Sequence, residues 1–459
     1  MLALTGAVAV TGTAVGAQGK DSASGPSGAS DAPGATASGA PGATGYDVTG
    51  YDVTIDYKPD GRTLHAVTVI NAKAKSALNS LTLQLDGPQV RSVEVDSKKA
   101  QFATKGEKDL TVEPAKTIPK GAAFRVRVAY DGTPGPGWMP TESGGASAMI
   151  GNADAWFPAH QDAHDKADFR LTATVPKGWA VVSIGRETPP SGPSDTTFRW
   201  SEPAVDPAQV AVTIDRLAIE RSELADGTPV VNAYAPGLRE STKPLADRLP
   251  EIIDFLSDKF GPYPYSSAGN VFVNVNDDGP GTAPATRPVY LGAGNAEFMN
   301  LDVVVHEQAH QWYANSVTLA ADEDSCLSEC FASYSTWLWD EAKDGVDLDS
   351  RYREQVEEHK DDASWWQRLY TPGRPAGMSI YTKGPLALHA LRQLIGDAAF
   401  NRTIKEFPQK QRGTYARWTD FESFAGKSSG QDLTGFFKAW FHDEGIPSDE
   451  YLWPGELKP

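Results

Sequence analysis

The chain has 459 residues, 40% of them hydrophobic and 10% aromatic, enough for roughly two or three domains with sizeable cores. It carries 60 Asp plus Glu against 42 Lys plus Arg, a formal charge of −18, with no basic stripe along it. That balance argues against nucleic acid as a partner, because such binding needs clustered cations to displace counterions.

The first segment, 1–17, is an apolar run ending in the small residues Val15, Gly16 and Ala17. It resembles a secretory leader with cleavage near Ala17, although no Lys or Arg precedes it. The run is short and broken by Gly and Thr, so no stable membrane span is expected and the protein reads as secreted. Residues 18–45 are mostly Gly, Ala, Ser, Pro and Thr with little to bury, which reads as a disordered linker. "GYDVT" then occurs twice in tandem, from Gly45 and from Gly50.

From 46 to 235 short alternating runs follow one another: "YDVTIDY", "LTLQL", "FRVRVAY", "DFRLTATV", "QVAVTIDRLAIE". Their period of two predicts a mostly β domain, a sandwich or saddle-shaped sheet. His160 and His164 stand four apart in "AHQDAH" beside Pro158; loop polar residues are the default reading and a second metal site the alternative. From 236 to 459 the character changes. "ESTKPLADRLPEIIDFLSDKFG" has helical spacing and ends at Gly261, "VFVNV" is a short strand, and helices dominate from Asn300 onward. The expected fold is therefore multidomain α+β. Trp365 and Trp366 read as helix-to-core packing, with a cleft lining as the alternative.

"VVVHEQAHQWYANS" opens the helical body. Histidines four apart on a helix share a face, so His306 and His310 can reach one ion, with Glu307 about 100° round the helix. This is the H-E-x-x-H arrangement of a zinc metalloprotease, and catalytic zinc takes three protein ligands and a water. The third ligand must come from another element. After eighteen intervening residues beyond His310 comes Glu329, inside "CLSEC". Cys326 and Cys330 are the only cysteines in the chain, and three readings of them stay open: a disulfide across one turn, two free thiols, or thiolate zinc ligation.

At these residues the chain resembles the gluzincin aminopeptidases of the aminopeptidase N type. "HQWYANSVT" is similar to the family's H-x-W-x-G-N-x-V-T, "LSECFASY" to L-N-E-G-F-A-x-Y, and "SIYTKGPLALHALRQLIG" to Y-x-K-G-x-x-x-L-x-x-L-R. "WFPAHQDAHDKADF" resembles the family's F-P-x-x-x-x-P-x-x-K-A-x-F. The resemblance implies a saddle-like β domain followed by a thermolysin-like catalytic domain, without the helical C-terminal domain of larger members. It implies one Zn2+ per chain held by His306, His310 and Glu329, Glu307 as general acid–base, and Tyr381 as donor to the oxyanion. A peptide or protein is the implied substrate.

Two departures bear on substrate mode. The family's G-x-M-E-N edge strand carries a glutamate that binds the substrate's α-amine. Aligned through "TRPVY", that motif falls on "PGTAP", which gives Gly281, Thr282 and Ala283 as substrate-binding positions with Ala283 where the glutamate should stand. The second amine-contacting Gln or Glu is absent between Met149 and Phe157. Asp277 or Asp278 is a possible substitute. Endo- or oligopeptidase action is therefore the rival of aminopeptidase action, and a non-catalytic peptide-binding protein on the same fold is a third reading. Beside Glu329, Cys326, Ser328 and Cys330 replace the family's Trp, Asn and Gly; Cys326 and Ser328 are smaller than the residues they replace, and whether that enlarges the space near the zinc helix stays open.

Overall fold

The computed structural model describes residues 45–160, 165–189, 196–275, 279–292 and 299–458. The leader-like segment, the linker up to residue 44, His164, Asp277 and Asp278 lie outside them.

The amino-terminal half is β-rich. Its largest sheet has eight strands, in spatial order Arg186–Thr188, Thr197–Val205, Ala167–Thr174, Tyr46–Lys58, Thr63–Ala74, Ala123–Gly132, Gln89–Val95 and Lys98–Lys99. Tyr46–Lys58 runs parallel to Ala167–Thr174 and antiparallel to Thr63–Ala74. The tandem "GYDVT" lies along this strand. Its period of five is odd, so a regular strand would send Tyr46 and Tyr51 to opposite faces. A register shift between Val48 and Gly50 restores the phase, and Tyr46, Val48, Tyr51, Val53, Ile55 and Tyr57 are all buried.

A three-stranded and a four-stranded sheet pack with this one around a core rich in rings, among them Trp138, Trp156, Phe157 and Phe169. The run "QVAVTIDRLAIE" is not one strand. Val212–Asp215 joins the four-stranded sheet and Ala218–Glu223 a different, five-stranded one. The break follows the fully buried Asp215, whose carboxylate accepts from Thr141 Oγ1 at 2.7 Å and from the Arg216 amide at 2.6 Å. Those bonds turn the chain where the alternation alone would have continued it.

The five-stranded sheet runs Ala218–Glu223, Pro229–Tyr234, Ala268–Phe272, Val289–Tyr290, Gly281–Thr282, with Gly281–Thr282 at its edge. Both faces are buried. Val231, Ala233, Val271 and Val289 belong to the core of the β-rich half. Val230, Tyr234, Phe272 and Tyr290 belong to the core of the helical body. The sheet thus joins the two cores, drawing strands from both sides of residue 235.

"ESTKPLADRLPEIIDFLSDKFG" forms two helices, Arg239–Ala246 and Leu249–Phe260, rather than one. Pro250 sits in the first turn of the second, where a missing N–H costs nothing, and Gly261 ends it at φ +93°. The helices Leu301–Ala309, Glu329–Asp344, Leu348–His359, Lys383–Ile395, Asp397–Lys410 and Trp418–Ser429 build the rest of the body. Trp366 is buried in its core, while Trp365 stacks on His359 with ring centroids 3.5 Å apart. No helix among the described residues is long and apolar enough to cross a membrane.

Candidate metal centre and its walls

The helix Leu301–Ala309 starts where Asn300 caps it, the side chain accepting from the Val303 amide at 3.1 Å. His306 and Glu307 lie in its last turn, and His310, still in helical conformation, follows it. Gln308 fixes the helix to the sheet by donating to Gly269 O at 3.1 Å and Asn270 Oδ1 at 2.9 Å. Glu329 is the first residue of the helix Glu329–Asp344, which packs on this one.

His306, His310 and Glu329 converge. Their ligand atoms lie within 4.8 Å of one another. Glu329 Oε2 is 3.3 Å from His306 Nε2 and 3.6 Å from His310 Nε2. Two imidazole nitrogens and one carboxylate oxygen form a donor set that suits zinc. The far side of His310 is occupied: Nδ1 is 3.0 Å from Ser328 Oγ and 3.3 Å from the Tyr313 carbonyl, which leaves Nε2 for the ion. These residues fit a zinc ion.

Ser328 also donates to Glu329 Oε1 at 3.2 Å. It stands where the family has Asn, and it orients one ligand and contacts another. Cys326 and Cys330 are joined as a disulfide and fully buried, so their sulfurs are not thiolate ligands for the metal. Gly384 is pressed onto this disulfide, where a Cβ would lie 2.6 Å from Cys330 Sγ. Glycine there lets the helix Lys383–Ile395 approach that of Glu329.

The charges of the site follow from burial and neighbours. Burial pushes the Glu307 carboxyl up to about 7, with His310 opposing and Glu329 adding to the rise. Burial also acts to raise Glu329, but His310 and His306 outweigh it, and that carboxyl falls to about 2. Tyr381 lies in the short turn Met378–Tyr381, its ring centroid 6.2 Å from that of His306. The residue is 42% exposed, yet desolvation at its hydroxyl end and the charges of Glu329 and Glu307 raise its pKa, so the phenol keeps its proton. Lys383 is fully buried just beyond, its Nζ donating to the carbonyls of Gln367 at 3.2 Å and Asp443 at 3.4 Å. Burial lowers it to about 8 against the pull of Asp443 and Glu444.

The other wall is the edge strand Gly281–Thr282. A Cβ at Gly281 would lie 3.6 Å from Glu307 Cδ, so the strand runs directly beside that carboxyl. Thr282 Oγ1 is 3.7 Å from Met149 Sδ, which brings the β-rich half to the site. Ala283 is buried, and its carbonyl accepts from Asn315 Nδ2 at 2.8 Å. The structure therefore brings Gly281 into contact range of Glu307 and leaves Ala283 buried, its carbonyl held by Asn315.

His160 serves elsewhere. It is buried with Nδ1 2.6 Å from Asp165 Oδ2, and Asp165 in turn accepts from the Val48 amide. This pair ties the first strand to the loop before Ala167–Thr174. Sequence reasoning gave no role to Gln311, Asn315, Thr286, Arg287 or Met149, and it read Ser328 only as a replacement of the family's Asn. Gln311 and Asn315, adjoining the zinc-binding motif, carried a positional signal.

A profile of the Peptidase family M1 domain matches residues 293–440. Among curated proteins, the chain is 23% identical to Probable aminopeptidase 1 of Saccharolobus solfataricus, over 87% of this chain and 54% of that protein. It is 24% identical to Aminopeptidase N of Streptomyces lividans, over 61% and 36%. The chain thus spans about half the length, or less, of these relatives. Among solved structures it superposes on an M1 zinc metallopeptidase from Deinococcus radiodurans with a TM-score of 0.79 and 24% identity, covering 91% of this chain and 98% of that one. A variant of that enzyme bound to the substrate Tyr-Ser-Ala gives 0.76 and 23%, over 88% and 95%.

Proposed function

From the premise that the chain belongs to the M1 family of zinc metallopeptidases, we propose that it hydrolyses peptide bonds, in the first instance from free N-termini as aminopeptidases of this family do. The observation that carries this reading is the convergence of His306, His310 and Glu329 within 4.8 Å, with Glu307 between that cluster and an edge strand. His306 Nε2, His310 Nε2 and a Glu329 oxygen would hold the ion. When bound, zinc supplies Lewis acidity towards a carbonyl oxygen and towards water. Glu307 takes the proton of the attacking water and delivers it to the leaving amine. Tyr381, a protonated phenol at the cleft mouth, donates to the oxygen on which negative charge develops. Gln308 and Ser328 keep the helix and His310 in place for these steps.

One observation favours a second reading, endo- or oligopeptidase action. Among the described residues, the charges acting on Glu307 are those of His310 and Glu329, and the wall beside it is Gly281, Thr282 and the buried Ala283. An ammonium brought there without a carboxylate partner carries a desolvation cost of several kcal/mol.

Cleavage of one peptide series, with free and with acetylated N-termini, separates the two. Loss of cleavage on acetylation supports the aminopeptidase reading, and equal cleavage supports the second. Metal analysis tests what they share: a folded protein that takes up no stoichiometric zinc overturns both.

A further inference from the structure

Thr286 lies in the loop that joins Gly281–Thr282 to Val289–Tyr290, and its backbone is at φ +72°. Thr286 is fully buried and β-branched, and such a residue pays steric strain in the left-handed region. Glycine would adopt this turn freely. What threonine adds is a hydroxyl, and that hydroxyl oxygen accepts twice. It accepts from the Gly185 amide at 2.9 Å and from Arg287 Nη1 at 3.1 Å. Arg287 Nη1 also donates to Ser183 O at 2.9 Å and Gly185 O at 2.7 Å.

On the opposite side the Thr286 amide donates to Gln311 Oε1 at 2.7 Å, and Gln311 Nε2 donates to Pro284 O at 3.1 Å. Gln311 directly follows His310 in the chain. One turn is therefore gripped by the β-rich half through its side chain and by the metal-binding segment through its backbone. A few residues away, the same hairpin presents Gly281 to Glu307 as the outer strand of its sheet. Buried strain maintained by such surrounding bonds is a feature of sites where position matters.

We propose that Thr286 is a positioning residue for substrate: its hydroxyl and amide together fix the edge strand Gly281–Thr282 against Glu307, so that an extended peptide lying along that strand meets the carboxyl in register. This rests on the peptidase reading above. Loosening the turn weakens the hold on long substrates more than it alters the bond-breaking groups, which sit on the other wall.

The test uses the zinc-loaded full chain with Thr286→Val, Thr286→Ser and Thr286→Gly, assayed on a tetrapeptide and on a single-residue nitroanilide. Thr286→Val should raise KM for the tetrapeptide roughly tenfold and leave kcat within about twofold, with a much smaller effect on the nitroanilide. Thr286→Ser should restore the wild-type values. Thr286→Gly, which relieves the backbone but lacks the hydroxyl, should behave like Thr286→Val, and it carries the test where valine prevents folding. Unchanged KM in a folded, zinc-loaded hydroxyl-less variant overturns the proposal, as does an equal loss on both substrates. Amide exchange of Gly281 and Thr282 reads the same grip without turnover. It should quicken in the hydroxyl-less variants and not in Thr286→Ser, and unchanged exchange overturns the proposal even if the wild type proves inactive on peptides. That last result, a zinc-loaded wild type that cleaves nothing, sinks the peptidase reading separately.

Discussion

The two walls of the site are made by different means. On the metal side, His306, Glu307 and His310 come from adjacent turns of one segment, and Glu329 opens a second helix packed on it. On the facing side, the strand Gly281–Thr282 is held through a turn whose partners are Gln311, 25 positions away, and Gly185, 101 positions away. The first wall needs one helix and one helix contact. The second needs the β-rich half, the five-stranded sheet and the metal-binding segment all in place. Damage to the metal side should therefore abolish chemistry in an intact protein, whereas damage to the hairpin side should appear first in stability and in handling of substrate.

The largest expected effect breaks the metal side alone. Glu307→Gln keeps the shape of the side chain and removes the base, so turnover should fall roughly a thousandfold. Zinc content by metal analysis should be unchanged, because Glu307 is not one of the converging ligands. Loss of zinc as well would mean the two roles are not separable.

Arg287→Met strikes the hairpin side. The guanidinium is buried, bonded to Ser183 and Gly185, and lies over the Trp200 ring at 4.7 Å. Its removal takes a buried donor from the Ser183 carbonyl, while Gly185 O keeps Ser267 Oγ at 2.7 Å, and it should cost about 3 kcal/mol in denaturant unfolding. The folded fraction should still bind one zinc.

Glu202 gives the same side a pH dependence. Burial pushes its carboxyl up to about 7 against the pull of Arg287. A carboxyl raised above its unfolded value makes the folded state hold the extra proton, so stability is lost as pH climbs from about 4.5 to about 7. Glu202→Gln should remove that loss. The variant should gain about 2 kcal/mol over wild type at pH 8 and almost nothing at pH 4. Taking the difference between the two proteins cancels the parallel contribution of Glu307. A constant difference across the range would contradict the assignment.

Ser328→Ala should weaken zinc binding by about tenfold, read by competition with a chelator, since it removes the nearer of the two partners of the far nitrogen of His310. The smallest effect belongs to Ala314, at φ +137°, where the family motif has glycine. Ala314→Gly should stabilise the protein by about 1 kcal/mol, because an alanine Cβ is strained there. It lies one residue before Asn315, whose amide holds Ala283, so the gain tests whether the hairpin anchor is itself under strain.

Much of the metal side was legible because its information is local. A four-residue spacing on a helix fixes which side chains share a face, and the structure brings His306 and His310 to one point with Glu329. The alternating runs marked the strands, but not where "QVAVTIDRLAIE" leaves one sheet for another, a break imposed by Asp215 and partners such as Thr141 far away in sequence. The helical spacing across 240–261 did not mark where the chain divides, between Ala246 and Leu249. The cysteines were undecided because i,i+4 thiols fit more than one arrangement; the disulfide depends on the bend between Leu327 and Glu329.

The sequence by itself determined the donor set and the place of Glu307 beside it, since helical periodicity carries side-chain direction over a turn. It determined the run of strands before the run of helices for the same reason. Only the tertiary structure decided that Ala283 is buried, that Gly281 faces Glu307, and that Thr286 is held in a left-handed turn between two halves of the molecule. Those outcomes rest on hydrogen bonds between groups far apart in the chain, and no local pattern of residue types encodes which distant carbonyl or amide will be there to meet them.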